Sequence, residues 1–203
     1  MGFIVFPGIK IMRILKRVIS MVHIKDEIGV LGIDDGPFNR ESKDVLLIGT
    51  YYRGNRILDG VYFKRIKKDG MDSTEKILEM VKGKHKKKIS VIFLDGVTFG
   101  GFNIADLNRI YERTRIPVVA VMNNLPDYEK IEKTLMRYFE DYEERISILR
   151  SLPKPERFGE IYLQYLGIDR GTLEVVLKKT RLRSKVPECL RVSHLIGRGF
   201  LYL

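Results

Sequence analysis

The chain has 203 residues, 44% of them hydrophobic, which excludes a disordered polymer and fits one ordinary domain with a full core. Its single cysteine, Cys189, excludes an internal disulfide framework and points to a reducing, cytoplasmic setting. Lys and Arg number 37 against 26 Asp and Glu, and the net charge of +11 lowers the cost of approaching a polyanion, so nucleic acid is the expected partner.

Residues 1–25 open with an apolar patch, residues 3–6, followed by Lys10, Arg13, Lys16 and Arg17 among aliphatic residues. The apolar run is too short and too interrupted by charge to span a membrane. The expectation is a loosely attached extension, with residues 26–203 forming one domain. Residues 28–36, IGVLGIDDG, are an apolar run closed by Asp34, Asp35 and Gly36, as in a strand buried on both faces. Residues 45–53 and 56–67 are rich in Val, Ile and Tyr, and Gly54-Asn55 between them predicts a two-residue hairpin turn. The first three strands thus form an antiparallel meander. Asp72 followed by Glu75 fits a capping box at the start of a helix whose inner stripe is Ile77, Leu78 and Val81.

The richest stretch is residues 89–103, ISVIFLDGVTFGGFN. A buried strand ends at Asp95-Gly96, and a loop containing Gly100 and Gly101 leads to Asn103, the expected cap of a helix over 103–113. Residues 117–122 predict a fifth strand, and 127–149 one helix with Ile131, Leu135, Phe139, Ile146 and Leu149 inside. A short strand over 158–166, a helix opened by Asp169 and a last helix over 187–198 complete the chain. The order is β-β-β-α-β-α-β, a mixed sheet with helices on both faces.

Right-handed crossovers place the fourth strand beside the first and parallel to it. Asp34 and Asp95 then face a common point about 5 Å apart, the strand spacing. Two carboxylates that close repel unless a proton or a cation sits between them, and oxygen donors select Mg²⁺ or Mn²⁺. Asp35 is a further candidate beside Asp34. Each acid also suits a plain strand-ending turn. Asp72 and Glu75 serve either as cap or as further ligands. Gly100 and Gly101 either let the loop turn or let a substrate approach the backbone. Lys84, Lys86, Lys87 and Lys88 form the densest cationic run, the expected anchor for a phosphate backbone unless it is a solvated turn.

Strand order and acid placement resemble the ribonuclease H-like superfold. LDGVTFGGFNIADLNRIYERTRIPVVAVMN (94–123) and the closing KVPECLRVSHLIGRG (185–199), with its Pro-Glu-x-x-Arg-x-x-His, resemble endonuclease V. With GIDDGPF and DGMDSTE added, the whole resembles an archaeal family of uncharacterised proteins related to endonuclease V. The resemblance covers roughly 28–198. It implies metal-binding aspartates at Asp34 and Asp95 and an active-site histidine at His194. Endonuclease V carries a catalytic glutamate after its third strand. No Glu stands at that place here, and Asp69, Asp72 and Glu75 are the nearest acids. Three function classes follow: a metal-dependent nuclease with Asp34, Asp95, His194 and Asp72 as catalytic candidates; a nucleic-acid binding protein without turnover; and a phosphotransfer ATPase, since Asp34-x-Gly36 also resembles a phosphate loop of actin-like kinases. Oligomeric state is not legible.

Overall fold

A computed structural model describes residues 26–83 and 85–200, so residues 1–25, the expected extension, and Lys84 lie outside the described residues. At the centre are β1 (Gly29–Asp35) and β4 (Val91–Asp95), parallel neighbours in which Ile33 pairs with Leu94. Their side chains alternate between two faces, and both faces are apolar because helices cover both. Leu31, Ile33, Ile92 and Leu94 pack towards α1 (Ser73–Val81), α2 (Leu107–Thr114), α3 (Tyr128–Tyr138) and α4 (Tyr142–Ser151). Val30, Val91 and Phe93 pack on the other face towards α5 (Arg170–Thr180) and α6 (Glu188–Gly199).

β2 (Asp44–Arg53) and β3 (Ile57–Lys67) complete the antiparallel meander outside β1. β7 (Val118–Met122) lies parallel to β4 on its other side, and β9 (Ile161–Leu166) and β8 (Glu156–Phe158) follow antiparallel. The seven-stranded order is β3-β2-β1-β4-β7-β9-β8, and a separate two-stranded ribbon joins β5 (Thr98–Phe99) to β6 (Asn103–Ile104). The meander and the parallel placement of β4 beside β1 are as the sequence predicts.

Several local expectations are corrected by tertiary contacts. The β2–β3 turn has three residues, 54–56, because Arg53 pairs with Ile57, and the register shifts at Tyr51/Tyr52. The helix expected over 127–149 breaks at Phe139, which takes up extended backbone. Its ring lies 5.5 Å from that of Phe102 and 4.3 Å from the Arg145 guanidinium carbon, contacts that helical periodicity cannot reveal. Residues 158–166 form part of a hairpin that turns at Gly159 (φ 66°) rather than one strand. Asp106, not Asn103, caps α2 by accepting from Arg109 N at 3.1 Å. Asn103 is instead a buried bridge: it accepts from Ser73 N (2.9 Å) and donates to Lys67 O (2.9 Å) and Asp72 Oδ1 (2.7 Å).

Candidate metal centre

Asp34 and Asp95 are the positions at which β1 and β4 run out of apolar partners. By strand alternation Asp34 continues the face of Val30 and Gly32, and Asp95 that of Val91 and Phe93, so both meet the underside of α6. Close approach of α6 requires residues without side chains. A Cβ on Gly32 would lie 2.5 Å from the Cys189 carbonyl carbon, and one on Gly197 3.1 Å from Asp35 O. A buried polar seam fixes the helix in place. Thr50 Oγ1 donates to Cys189 O at 2.7 Å, and Ser193 Oγ donates to Gly32 O at 3.0 Å while lying 3.2 Å from Thr50 Oγ1. One residue after Ser193 comes His194, whose Nδ1 shares a hydrogen bond with Asp34 Oδ2 at 3.0 Å.

Donor atoms of Asp34, Asp95 and His194 all lie within 4.8 Å of one another. Burial, then the charges of Asp95 and Asp35, push the Asp34 carboxyl up to about 8 from an ordinary 3.8. Burial raises Asp95 as well, opposed by His194 and by a bond to Asp34. Asp34 is buried while His194 is largely exposed, so the cluster forms the floor and wall of a cleft. Two clefts meet here. One, of about 460 Å³, adds Pro37, Phe38 and Arg198 to the cluster; the other, of about 240 Å³, adds Asn123, Ser184 and Lys185.

The other sequence candidates are placed differently. Asp35 follows Asp34 on the chain, but its Oδ2 accepts from Gly100 N at 2.5 Å, tying the glycine loop to the end of β1. Burial raises its carboxyl, and the Gly100 N–H opposes this. Gly100 and Gly101 have φ of 52° and 96°, so the turn itself requires glycine. The loop is clamped from behind. Asp69 Oδ1 accepts from Phe102 N, and Arg145, itself held by Asp141, donates to the carbonyls of Asp69, Gly70 and Phe102 at 2.7–3.1 Å.

Asp72 and Glu75 do not join the cluster. Asp72 precedes α1 but makes no side-chain cap bond: its Oδ1 accepts from Lys67 N and Asn103 Nδ2. Glu75 pairs with Arg109 at 2.5 Å. The capping box and the added-ligand reading both give way to these partners. Lys86–Lys88 form a 3-10 turn before β4, and Lys88 O touches the Cα side of Gly29. Gly29 and Asp34 sit five residues apart along β1, roughly 17 Å at strand rise, so the lysine run lies at the opposite end of the sheet. Sequence reasoning missed Gly32, Thr50, Ser193 and Gly197. The available signal was Ser193-x-x-x-Gly197 beside His194, two small residues one helical turn apart.

A mixed sheet of this order, with acids at the ends of its central parallel strands, defines an endonuclease V-like fold of the ribonuclease H class. It superimposes on the catalytic domain of human endonuclease V with a TM-score of 0.59, covering 95% of this chain and 93% of that one at 11% identity. Endonuclease V of Ciona intestinalis, solved in complex with a DNA containing an inosine, gives 0.59 at 12% identity, covering 90% and 88%. Those likenesses are of fold. The family model described as endonuclease dU matches residues 26–201, and the chain belongs to that family. Among its relatives, a UPF0215 protein of Methanocaldococcus jannaschii is 58% identical over 183 residues, 90% of this chain and 100% of that one. A protein of unknown function from Archaeoglobus fulgidus has a TM-score of 0.79 at 36% identity, covering 85% and 97%.

Proposed function

We propose that this protein is a divalent-metal-dependent nuclease that hydrolyses phosphodiester bonds in DNA, with strands bearing deoxyuridine as its first substrate class. The observation that carries the reading is the Asp34–Asp95–His194 cluster, three donors within 4.8 Å at the meeting of two clefts. The residues fit a divalent cation. Burial, and after it the uncompensated charges of Asp95 and Asp35, keep a proton on Asp34 at neutral pH, a place a cation can take, and oxygen donors select Mg²⁺ or Mn²⁺. Asp34 and Asp95 would hold the cation, which when bound neutralises charge on the phosphoryl group and lowers the pKa of water. His194 is assigned the proton. Asp34 orients its ring through Nδ1, leaving Nε2 for exchange with the attacking or departing oxygen. The choice of deoxyuridine rests on the description of the family.

One observation favours a second reading, binding without turnover: among the described residues, none of the acids that directly follow β3 joins the cluster, since Asp69, Asp72 and Glu75 are engaged elsewhere. End-labelled oligonucleotides carrying one deoxyuridine, one inosine or neither separate the two. Protein stripped with EDTA and given Mg²⁺ or Mn²⁺ should cut the deoxyuridine strand, and EDTA should stop the reaction. Strands that are bound yet stay intact under both metals would sink the nuclease reading in favour of the second.

A further inference from the structure

Two features beside the centre are left over once the metal ligands are assigned. The first is Phe38, on the loop after Asp35-Gly36. It is 42% exposed, and it lines the larger cleft together with Arg198, an exposed cation. An aromatic ring left in water beside a carboxylate cluster gains most from a flat apolar partner. The second is the strap between α5 and α6. It starts at Arg181, whose carbonyl accepts from Asn55 Nδ2 at 2.7 Å in the β2–β3 turn. It ends at Ser184 and Lys185, which line the smaller cleft with Asp95 and His194. Arg183 and Lys185 are both exposed, and among the described residues neither is paired with an acid.

We propose that a single unpaired polynucleotide strand crosses the centre from Phe38 to this strap, a base stacking on Phe38 and phosphates lying on Lys185 and Arg183. The proposal rests on the nucleic-acid reading and adds the form of the substrate and its path. Both clefts contain Asp95 and His194, so a strand lying in both passes its backbone over these two residues. Asp34 is only 4% exposed, so the scissile phosphate must descend into the cleft, which an unpaired strand does without unstacking cost. A cationic track next to an aromatic platform is the combination that binds single strands without reading sequence.

Fluorescence anisotropy with a labelled single strand and its blunt duplex, in EDTA and over a salt series, tests this without any turnover. The single strand should bind more tightly than the duplex. Replacing Arg183 and Lys185 together by alanine should weaken it about ten-fold and lower the log–log salt slope by about 1.4, two counterion releases at 0.7 each. Phe38→Ala should weaken binding about ten-fold with the slope unchanged, since stacking releases no ions. Replacing Lys87 and Lys88 should change little. Equal or tighter duplex binding, or a loss confined to the Lys87/Lys88 variant, would overturn the path. Cleavage is read separately: intact strands with the predicted binding pattern sink only the nuclease reading, and cleavage with unchanged binding in the strap variants sinks only the path.

Discussion

Asp95→Asn should reduce cleavage to the level without enzyme while the metal-free protein becomes more stable, most visibly at alkaline pH. Two charges within 4.8 Å of each other repel by about 3 kcal/mol or more at an effective dielectric near 20, and asparagine removes one of them without changing shape. The pH dependence has a definite sign. The Asp34 carboxyl is raised in the folded protein from 3.8 to about 8, so between those values the native state binds more protons than the unfolded chain. The contribution of this carboxyl to the stability of the metal-free wild type is therefore fully present below about pH 4 and is lost as pH rises to about 8, by at most about 1.4 kcal/mol per pH unit. A melting temperature falling by a few degrees per pH unit is the expected record for a chain of this size. In Asp95→Asn that slope should flatten. Added Mn²⁺ should stabilise wild type most at pH 8, where the ligands have lost their proton, and stabilise the variant little. A variant that melts lower at every pH, with an unchanged response to Mn²⁺, would make Asp95 a turn residue and nothing more.

Gly32→Ala carries the other large effect, although it adds only one uncharged methyl group. Its Cβ would stand 2.5 Å from the carbonyl carbon of Cys189 and 2.7 Å from Leu190 N, both backbone atoms that cannot swing aside. The first turn of α6 must lift from β1. That loosens the Ser193 Oγ to Gly32 O bond and carries His194 away from Asp34. A cost of about 3 kcal/mol is expected, the upper range for overpacking, which lowers the melting temperature by roughly 6–12 °C. Activity should fall further than stability explains at a temperature where the variant is fully folded. Gly199→Ala is the internal control: its Cβ would meet nothing within 4 Å, and stability should stay within about 1 kcal/mol of wild type. Urea denaturation of the three proteins measures both costs.

The central strands were legible because burial on both faces leaves continuous apolar runs, and the acids closing 28–36 and 89–95 mark where those runs meet solvent. Handedness of the crossovers then brought Asp34 and Asp95 together without any side-chain information. His194 was not legible that way. Nothing in the periodicity of α6 says that the helix descends on β1, and its place came from the likeness of the Pro187–His194 stretch to a known motif. What lets the helix descend is negative, the missing side chains at Gly32 and Gly197. Local pattern misled where a distant group offered a better partner. Asp72 and Glu75 have capping-box spacing, yet Asn103, 31 residues from Asp72, takes the Asp72 carboxylate. The lysine run at 84–88 is the densest charge in the sequence, but its described part, Lys86–Lys88, precedes the strand that Asp95 ends, so topology sends that part to the far end of the sheet. The cations beside the site, Lys185 and Arg198, lie 13 residues apart in sequence and become neighbours of the centre only through the position of α6.

Diffraction from crystals grown in MnCl₂, recorded near the manganese absorption edge, tests the metal centre most directly. The expected result is an anomalous peak between the carboxylates of Asp34 and Asp95 and beside the His194 ring, absent from crystals of Asp95→Asn. A wild-type map at saturating Mn²⁺ with no peak there, and with the Asp34–His194 hydrogen bond intact, would contradict the account.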